Sequence, residues 1–218
     1  MPCIMTHRPS GPAYRVETQR LVLRCWEPQD APLLQNAIGA SLEHLREWMP
    51  WAHEEPSTLG VMTNRLRLFR AYFDMDKDYV YGIFNRDETE VLGGCGLHTR
   101  LGMNAREIGY WIHADHINQG LATEVAAALT KVALEIDGVD RVEIHCNPKN
   151  LASAAVARRL GFTHEATRRR CGPVKNGEPS DTMIWTMHAD AYPESPSAIV
   201  RVSAYDAHGC KLSWHSEP

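Results

Sequence analysis

The segment from Glu107 to Cys146, EIGYWIHADHINQGLATEVAAALTKVALEIDGVDRVEIHC, restricts the fold more than any other part of the chain. It opens on a strand-like run, crosses a polar loop and enters a helix. On that helix Leu121, Val125, Ala128, Leu129, Val132 and Ile136 recur at helical spacing up to the breaker Gly138. RVEIHC follows as a buried strand, so strand, helix and strand form a βαβ unit with a parallel pair. The preceding stretch differs: DYVYGIFN, EVLGGCGLH and REIGYWIH are separated by short turn-like segments and read as an antiparallel meander. The fold class is therefore α/β (α+β), with a mixed, mostly antiparallel sheet flanked by helices.

Upstream, RLVLRCW alternates apolar and polar residues, which places Leu21, Leu23 and Cys25 toward a core as a first strand. PQDAPLLQNAIG, opened by prolines and closed by a glycine, reads as one helix, and SLEHLREWM as a second, capped by Ser41. TNRLRLFRAYFDM is a third, with Leu66, Phe69 and Phe73 on one face. Downstream, a short helix from near Asn150 stops at Gly161. FTHEATRRRC and DTMIWTMHA then close the sheet as a hairpin around Asn176-Gly177. Beyond about Tyr192 no periodic pattern remains, and residues 192–218 read as a loose tail.

A chain of 218 residues suits one domain with appendages. The net charge of -4 gives no basic excess, which argues against nucleic acid as a partner. The N-terminus has no apolar core of the signal-peptide kind, and no apolar run reaches bilayer-spanning length. The expectation is a soluble cytoplasmic protein with no membrane partner. Six cysteines are scattered without CxxC spacing, and His113 with His116 lacks a third ligand nearby, so reduced thiols and no metal are expected.

The loop before the central helix is chemically suggestive. Gly120 has no side chain and Ala122 almost none, and both lie where a helix start presents N–H groups without internal partners. Unpaired donors and the positive end of the helix dipole attract phosphate. A plain strand-to-helix turn would explain the glycine equally well. The sequence has no GxGxxG and no Gly-Lys-Ser/Thr, so dinucleotide and P-loop folds do not fit.

Several pieces together carry a family resemblance: ETQRLVLRCWEPQDAP, WMPW, EIGYWI running into NQGLATEVAAAL, NPKNLASAAVARRLGF and NGEPSDTMIWTM. From about Glu17 to Met187 the chain resembles the GNAT acetyltransferases, in particular the RimJ/RimL-like group that acetylates N-termini of ribosomal proteins. The resemblance implies the GNAT fold, a twisted sheet splayed in the middle, over residues 15–191, with residues 1–14 as an extension. It implies acetyl-CoA as co-substrate, its pyrophosphate on Asn118, Gln119, Gly120, Leu121, Ala122 and Thr123. Ile117 departs from the Gln or Arg that leads the family pattern. It also implies that a strand bulge turns a backbone N–H among Trp111, Ile112 and His113 toward the thioester oxygen. Asn150 would then bind the pantetheine arm, and Ser153 would stand near the coenzyme sulfur as proton donor. Trp48 and Trp51 would wall the acceptor site. The clusters Arg158-Arg159 and Arg168–Arg170 read first as solvated faces, with one arginine free to reach either the coenzyme's 3'-phosphate or an acidic acceptor.

Each assignment has a plainer counterpart. Asn150 and Ser153 also suit a helix cap, Tyr110 and Trp111 suit core packing, and Cys146 cannot pair with the adjacent His145 because neighbouring strand side chains point to opposite faces. For the base, Glu107 is the first candidate, acting directly or through water, and His113 is the alternative. The expected acceptor is a primary amine, most naturally a protein or peptide N-terminus. A small amine is the alternative acceptor, and a non-catalytic acetyl-CoA sensor is the alternative of another class. A homodimer is left open.

Overall fold

A computed structural model describes residues 12–175 and 178–214. The chain begins with β1 (Arg15–Glu17) and β2 (Leu21–Cys25), followed by helices α1 (Ala31–Arg46) and α2 (Leu59–Asp74). The meander β3 (Tyr79–Asn85), β4 (Val91–His98) and β5 (Ala105–Ile112) leads into α3 (Leu121–Glu135), β6 (Arg141–Cys146), α4 (Leu151–Arg159) and β7 (Thr163–Arg168). A small ribbon of β8 (Val174–Lys175) and β9 (Glu178–Pro179) precedes β10 (Thr182–His188), and β11 (Ser203–Tyr205) is last. The turn expected at Asn176-Gly177 lies outside the described residues.

Among the described residues nine strands form one sheet in the order β11-β1-β2-β3-β4-β5-β6-β10-β7. The β5–β6 contact is the parallel pair of the βαβ unit, and the neighbouring ladders on both sides are antiparallel. Two apolar layers cover the two faces. Leu21, Leu23, Cys95, Leu97, Ile108 and Ile112 pack with α3, while Val22, Phe84, Val91 and Trp26 pack with α1 and α2. Cover on both faces explains why Val22 is as buried as the Leu21 and Leu23 that flank it.

The parallel pairing is short. It matches Ala105–Glu107 with Arg141–Glu143 and goes no further, so β5 and β6 part beyond Glu107 and open the sheet at its centre. The expected bulge does not lie between β4 and β5, whose register runs unbroken from Gly93↔Ile112 to His98↔Glu107. It lies one ladder away, where the β3–β4 register shifts between Ile83 and Phe84.

Two expectations about helices and the tail need correction. The two helices expected around Gly39 are one, α1, because nothing crowds Gly39 and an interior glycine costs a helix only about 1 kcal/mol. Ser41 is accordingly no cap: it is buried inside α1, and its hydroxyl accepts the Ala114 N–H at 3.0 Å, tying α1 to the loop after β5. The segment after Tyr192 is not loose over its described part. β11 pairs with β1, and Ala204, Leu212 and Trp214 are buried. The outer face of α3 holds this segment. Lys131 donates to Ala198 O at 3.0 Å and lies over the Trp214 ring, and the Tyr192 hydroxyl donates to Glu135.

Candidate active site

The loop before α3 is built for an anion. Asn118 (φ 59°) and Gly120 (φ 79°) both adopt the left-handed conformation, and Gly120 is the α3 N-cap. Among the described residues the N–H groups of Leu121, Ala122 and Thr123 have no backbone acceptor, while Glu124 N–H begins the helical ladder on Gly120 O. A Cβ on Gly120 would meet only Arg20 Nη2, at 3.7 Å, so it is the backbone conformation, not crowding, that calls for glycine. Arg20 steadies the loop by donating to Gln119 O (2.9 Å) and to Glu124 (2.6 Å). Arg159 Nη1 donates to Thr123 Oγ1 at 3.1 Å, which sets a guanidinium on the first turn of α3. Arg158 instead lies over the Trp185 ring. Free donors, a helix N-terminus and a cation are what the pyrophosphate and 3'-phosphate of acetyl-CoA require, so this end of the cleft fits that co-substrate.

The opening between β5 and β6 continues the cleft. His113 N–H donates to Leu92 O at 2.8 Å. Successive N–H groups of a strand point to opposite edges, so Trp111 N–H also faces β4, whereas those of Ile112 and Tyr110 face the edge that β6 has left. Of the three backbone positions expected to face a thioester, only Ile112 is therefore available. The His113 ring is buried, and its Nδ1 accepts Asp115 N–H at 3.2 Å, which ties it to its own loop.

Across the opening, Asn150 caps α4 by accepting Ser153 N–H at 3.0 Å. The Ser153 hydroxyl is free of that cap and meets the Tyr110 hydroxyl at 2.9 Å. Burial pushes the Tyr110 phenol up to about 12, with the Ser153 hydrogen bond pulling the other way. Burial likewise raises the Cys146 thiol. Tyr110 is thus packed in the core as expected, but its hydroxyl belongs to the site.

The other face of β4 and β5 is paved with glycine. Gly94, Gly96 and His98 alternate along β4 opposite Trp111, Gly109 and Glu107 of β5. A Cβ on Gly94 would lie 2.6 Å from Trp111 Nε1, and Cβ atoms on Gly96 and Gly109 would lie 2.8 Å and 3.0 Å from the His98 ring. The indole and the imidazole therefore rest on a floor that any side chain would fill. Trp51 meets Trp111 edge-on at 6.1 Å, and Trp48 lines the same cleft. At the far end Arg100 clamps both Glu107 oxygens, and His145 Nδ1 lies 3.5 Å from Glu107 Oε2. His145 Nε2 in turn meets Glu143 at 2.6 Å. Glu107 is buried, so it is not the surface carboxylate that a strand edge would give.

His98, Asp78 and Arg100 escaped sequence reasoning. Asp78 holds His98 Nδ1 at 2.9 Å, from the loop before β3. The signal was present in LGGCGLH, where Gly94, Gly96 and His98 sit two apart and share a strand face. One cleft, of about 1730 Å³, brings together Trp48, Trp51, Glu107, Trp111, Ile112, Asn118, Gly120, Leu121, Ala122, Thr123, Asn150 and Ser153. Gln119 and His113 do not line it, though Gln119 presents its carbonyl to Arg20 beside it. Among the described residues no three His, Cys, Asp or Glu side chains gather as metal ligands, and no helix is long and apolar enough to cross a membrane.

Comparison with known proteins agrees with this geometry. The family described as "Acetyltransferase (GNAT) domain" matches residues 20–163. The chain is 28% identical over 173 residues to the uncharacterized N-acetyltransferase YoaA of Bacillus subtilis (strain 168), covering 79% of this chain and 95% of that protein. It is 26% identical over 161 residues to the [ribosomal protein uS5]-alanine N-acetyltransferase of Escherichia coli (strain K12), covering 73% and 83%. Among solved structures, RimL, a ribosomal L7/L12 alpha-N-protein acetyltransferase in complex with coenzyme A, superposes with a TM-score of 0.71 at 22% identity, covering 80% of this chain and 97% of that one.

Proposed function

The chain belongs to the GNAT acetyltransferase family, and from that premise we propose that it transfers acetyl from acetyl-CoA to the N-terminal α-amine of a protein or peptide. The observation that carries this reading is the continuity of one cleft. It runs from the unpaired N–H groups at the α3 start, through the gap between β5 and β6, to the glycine floor under Trp51 and Trp111. Acetyl-CoA supplies an activated acyl group as a thioester. Leu121, Ala122 and Thr123 bind its pyrophosphate through their N–H groups, and Arg159 adds positive charge there. Ile112 N–H, aimed into the gap, is the donor for negative charge developing on the acyl oxygen. Ser153 protonates the departing sulfur, and Tyr110 orients its hydroxyl.

A peptide acceptor suits both chemistry and shape. An α-amine titrates at roughly 8, so a useful fraction is neutral near pH 7, unlike a lysine near 10.4. The cleft continues past the gap to Trp48 and Trp51, beyond the end assigned to the coenzyme, and so offers a wall for an acceptor. The relative named for acetylating a ribosomal-protein alanine points to the same acceptor class. The test is thiol release from acetyl-CoA with peptides beginning in alanine or serine, set beside polyamines, aminoglycosides and free amino acids. The reading expects turnover with peptides and loss of it when the peptide α-amine is blocked. Turnover confined to small amines would overturn the acceptor, and acetyl-CoA stabilisation without thiol release to any amine would indicate a sensor.

A further inference from the structure

We propose that His98, held by Asp78, is the base that takes the proton from the acceptor amine. This rests on the transfer reading above and names a residue for it. The imidazole lies on the glycine floor of the cleft, with Nε2 3.0 Å from the place a Gly109 Cβ would occupy and 2.9 Å from that of Gly96. Asp78 approaches the opposite nitrogen: Nδ1 lies 2.9 Å and 3.1 Å from the two carboxylate oxygens. A carboxylate can only accept there, so Nδ1 carries the hydrogen, and in the neutral ring Nε2 is the nitrogen with the lone pair. Among the described residues Nε2 has no hydrogen-bond partner. The pair is only partly covered, with His98 and Asp78 side chains 21% and 29% exposed, as suits a base that must meet a substrate.

The neighbours define the setting. Asp78 faces the ring from the α2–β3 loop, Glu107 stands opposite His98 on β5, and Arg100 at the start of the β4–β5 turn neutralises Glu107. His145 of β6 lies on the far side of Glu107. Glu107 has a position compatible with the same role, but both its oxygens already accept from Arg100. In the step assigned to His98 the C–N bond forms and the thioester C–S bond breaks. The amine proton passes to Nε2, the C–S electron pair leaves on sulfur, and the sulfur takes a proton through the Ser153 hydroxyl; Nε2 then gives its proton to solvent and the Ser153 hydroxyl regains one from it, so the net transfer is one proton from nitrogen to sulfur.

The test is kcat of the full chain against pH at saturating acetyl-CoA and peptide, with acetyl-CoA thermal stabilisation as the control for binding. His98→Gln is expected to lower kcat by about 10²–10⁴-fold. It should also abolish the neutral plateau, leaving a rate that climbs with pH as solvent alone supplies neutral amine, while acetyl-CoA stabilisation persists. Asp78→Asn tests the positioning residue: it removes the negative charge that steadies the imidazolium formed when Nε2 takes the proton, so kcat falls and the acidic limb moves. Gly109→Ala leaves both residues in place but drives a methyl against Nε2, and it too should lower kcat more than it raises KM. Wild-type kcat and an unchanged acidic limb in folded His98→Gln would overturn the proposal, as would loss of that limb in Glu107→Gln with its retention in His98→Gln. A wild-type chain that releases no thiol with any amine would overturn the transfer reading itself, and the base with it.

Discussion

Ser153 makes its backbone and its side chain do separate jobs. Its N–H satisfies the Asn150 cap, which any residue could do, whereas its hydroxyl is spent on Tyr110 inside the cleft. Ser153→Ala should therefore keep the cap and lower kcat by roughly ten to a thousandfold, with little change in the KM for acetyl-CoA. The stability cost should be about 1–3 kcal/mol, the range for an orphaned hydroxyl. A double cycle with Tyr110→Phe should be strongly non-additive, since both changes remove one hydrogen-bonded unit. Wild-type turnover with a lowered melting temperature would make Ser153 purely structural. At this scale the sequence displayed spacing but not reach. Asn150, Ser153, Gly120 and Ala122 were legible because short helix-start patterns put them there. The Tyr110 hydroxyl and the His98–Asp78 pair were not, since they join residues 43 and 20 positions apart across the fold.

Periodicity made α3, β6 and the meander legible, but what each element packs against lay outside it. α3 is apolar nearly all round, with Ala126, Ala127, Ala128 and Ala133 all buried, a pattern that calls for cover on its outer side as well. The cover is the segment that carries no periodic signal of its own. It holds by isolated contacts, Lys131 with Ala198 and Trp214, and Tyr192 with Glu135, and by only three residues of β11 against β1. Truncation after residue 199 removes β11 together with the buried Ala204, Leu212 and Trp214. By area bookkeeping, full burial of a large apolar side chain is worth about 1.5–3 kcal/mol, so the truncated chain should melt well below the intact one. Because the cleft lies on other strands, any fraction that stays folded should keep its KM for acetyl-CoA. An unchanged melting temperature would show that the strap contributes nothing. Gly39 teaches the converse: a glycine read as a helix stop is absorbed when the helix around it has a sheet to pack on.

Across the whole molecule, burial on both faces of one sheet encloses several weak acids in their neutral form. Burial raises the Cys25 thiol from 9.0 to about 11 and the Tyr110 phenol from 10.0 to about 12. It pushes Cys95, Tyr79, Tyr81 and Tyr192 upward as well. The sign follows from linkage. The unfolded chain gives up these protons at the ordinary values while the folded chain retains them, so deprotonation favours unfolding. Their contribution is intact below about pH 9 and lost as pH rises through 9 to 12, cysteines first and tyrosines after. Carboxylates set the other limit: the Arg15 hydrogen bond holds Glu17 down, and at Glu88 the bonds to Arg15 and Arg24 outweigh the opposing desolvation. That part of the stability is full above roughly pH 4.5 and falls as those groups protonate. Urea midpoints measured from pH 4 to 12 should accordingly form a broad plateau with a steep alkaline edge. Tyr110→Phe should soften the edge between about pH 10 and 12 without moving its onset, which belongs to the thiols. Midpoints that stay level from about pH 8.5 to 11.5 would mean that these groups ionise inside the folded protein without cost. The enclosure of the core inferred from the two-faced sheet would then be wrong.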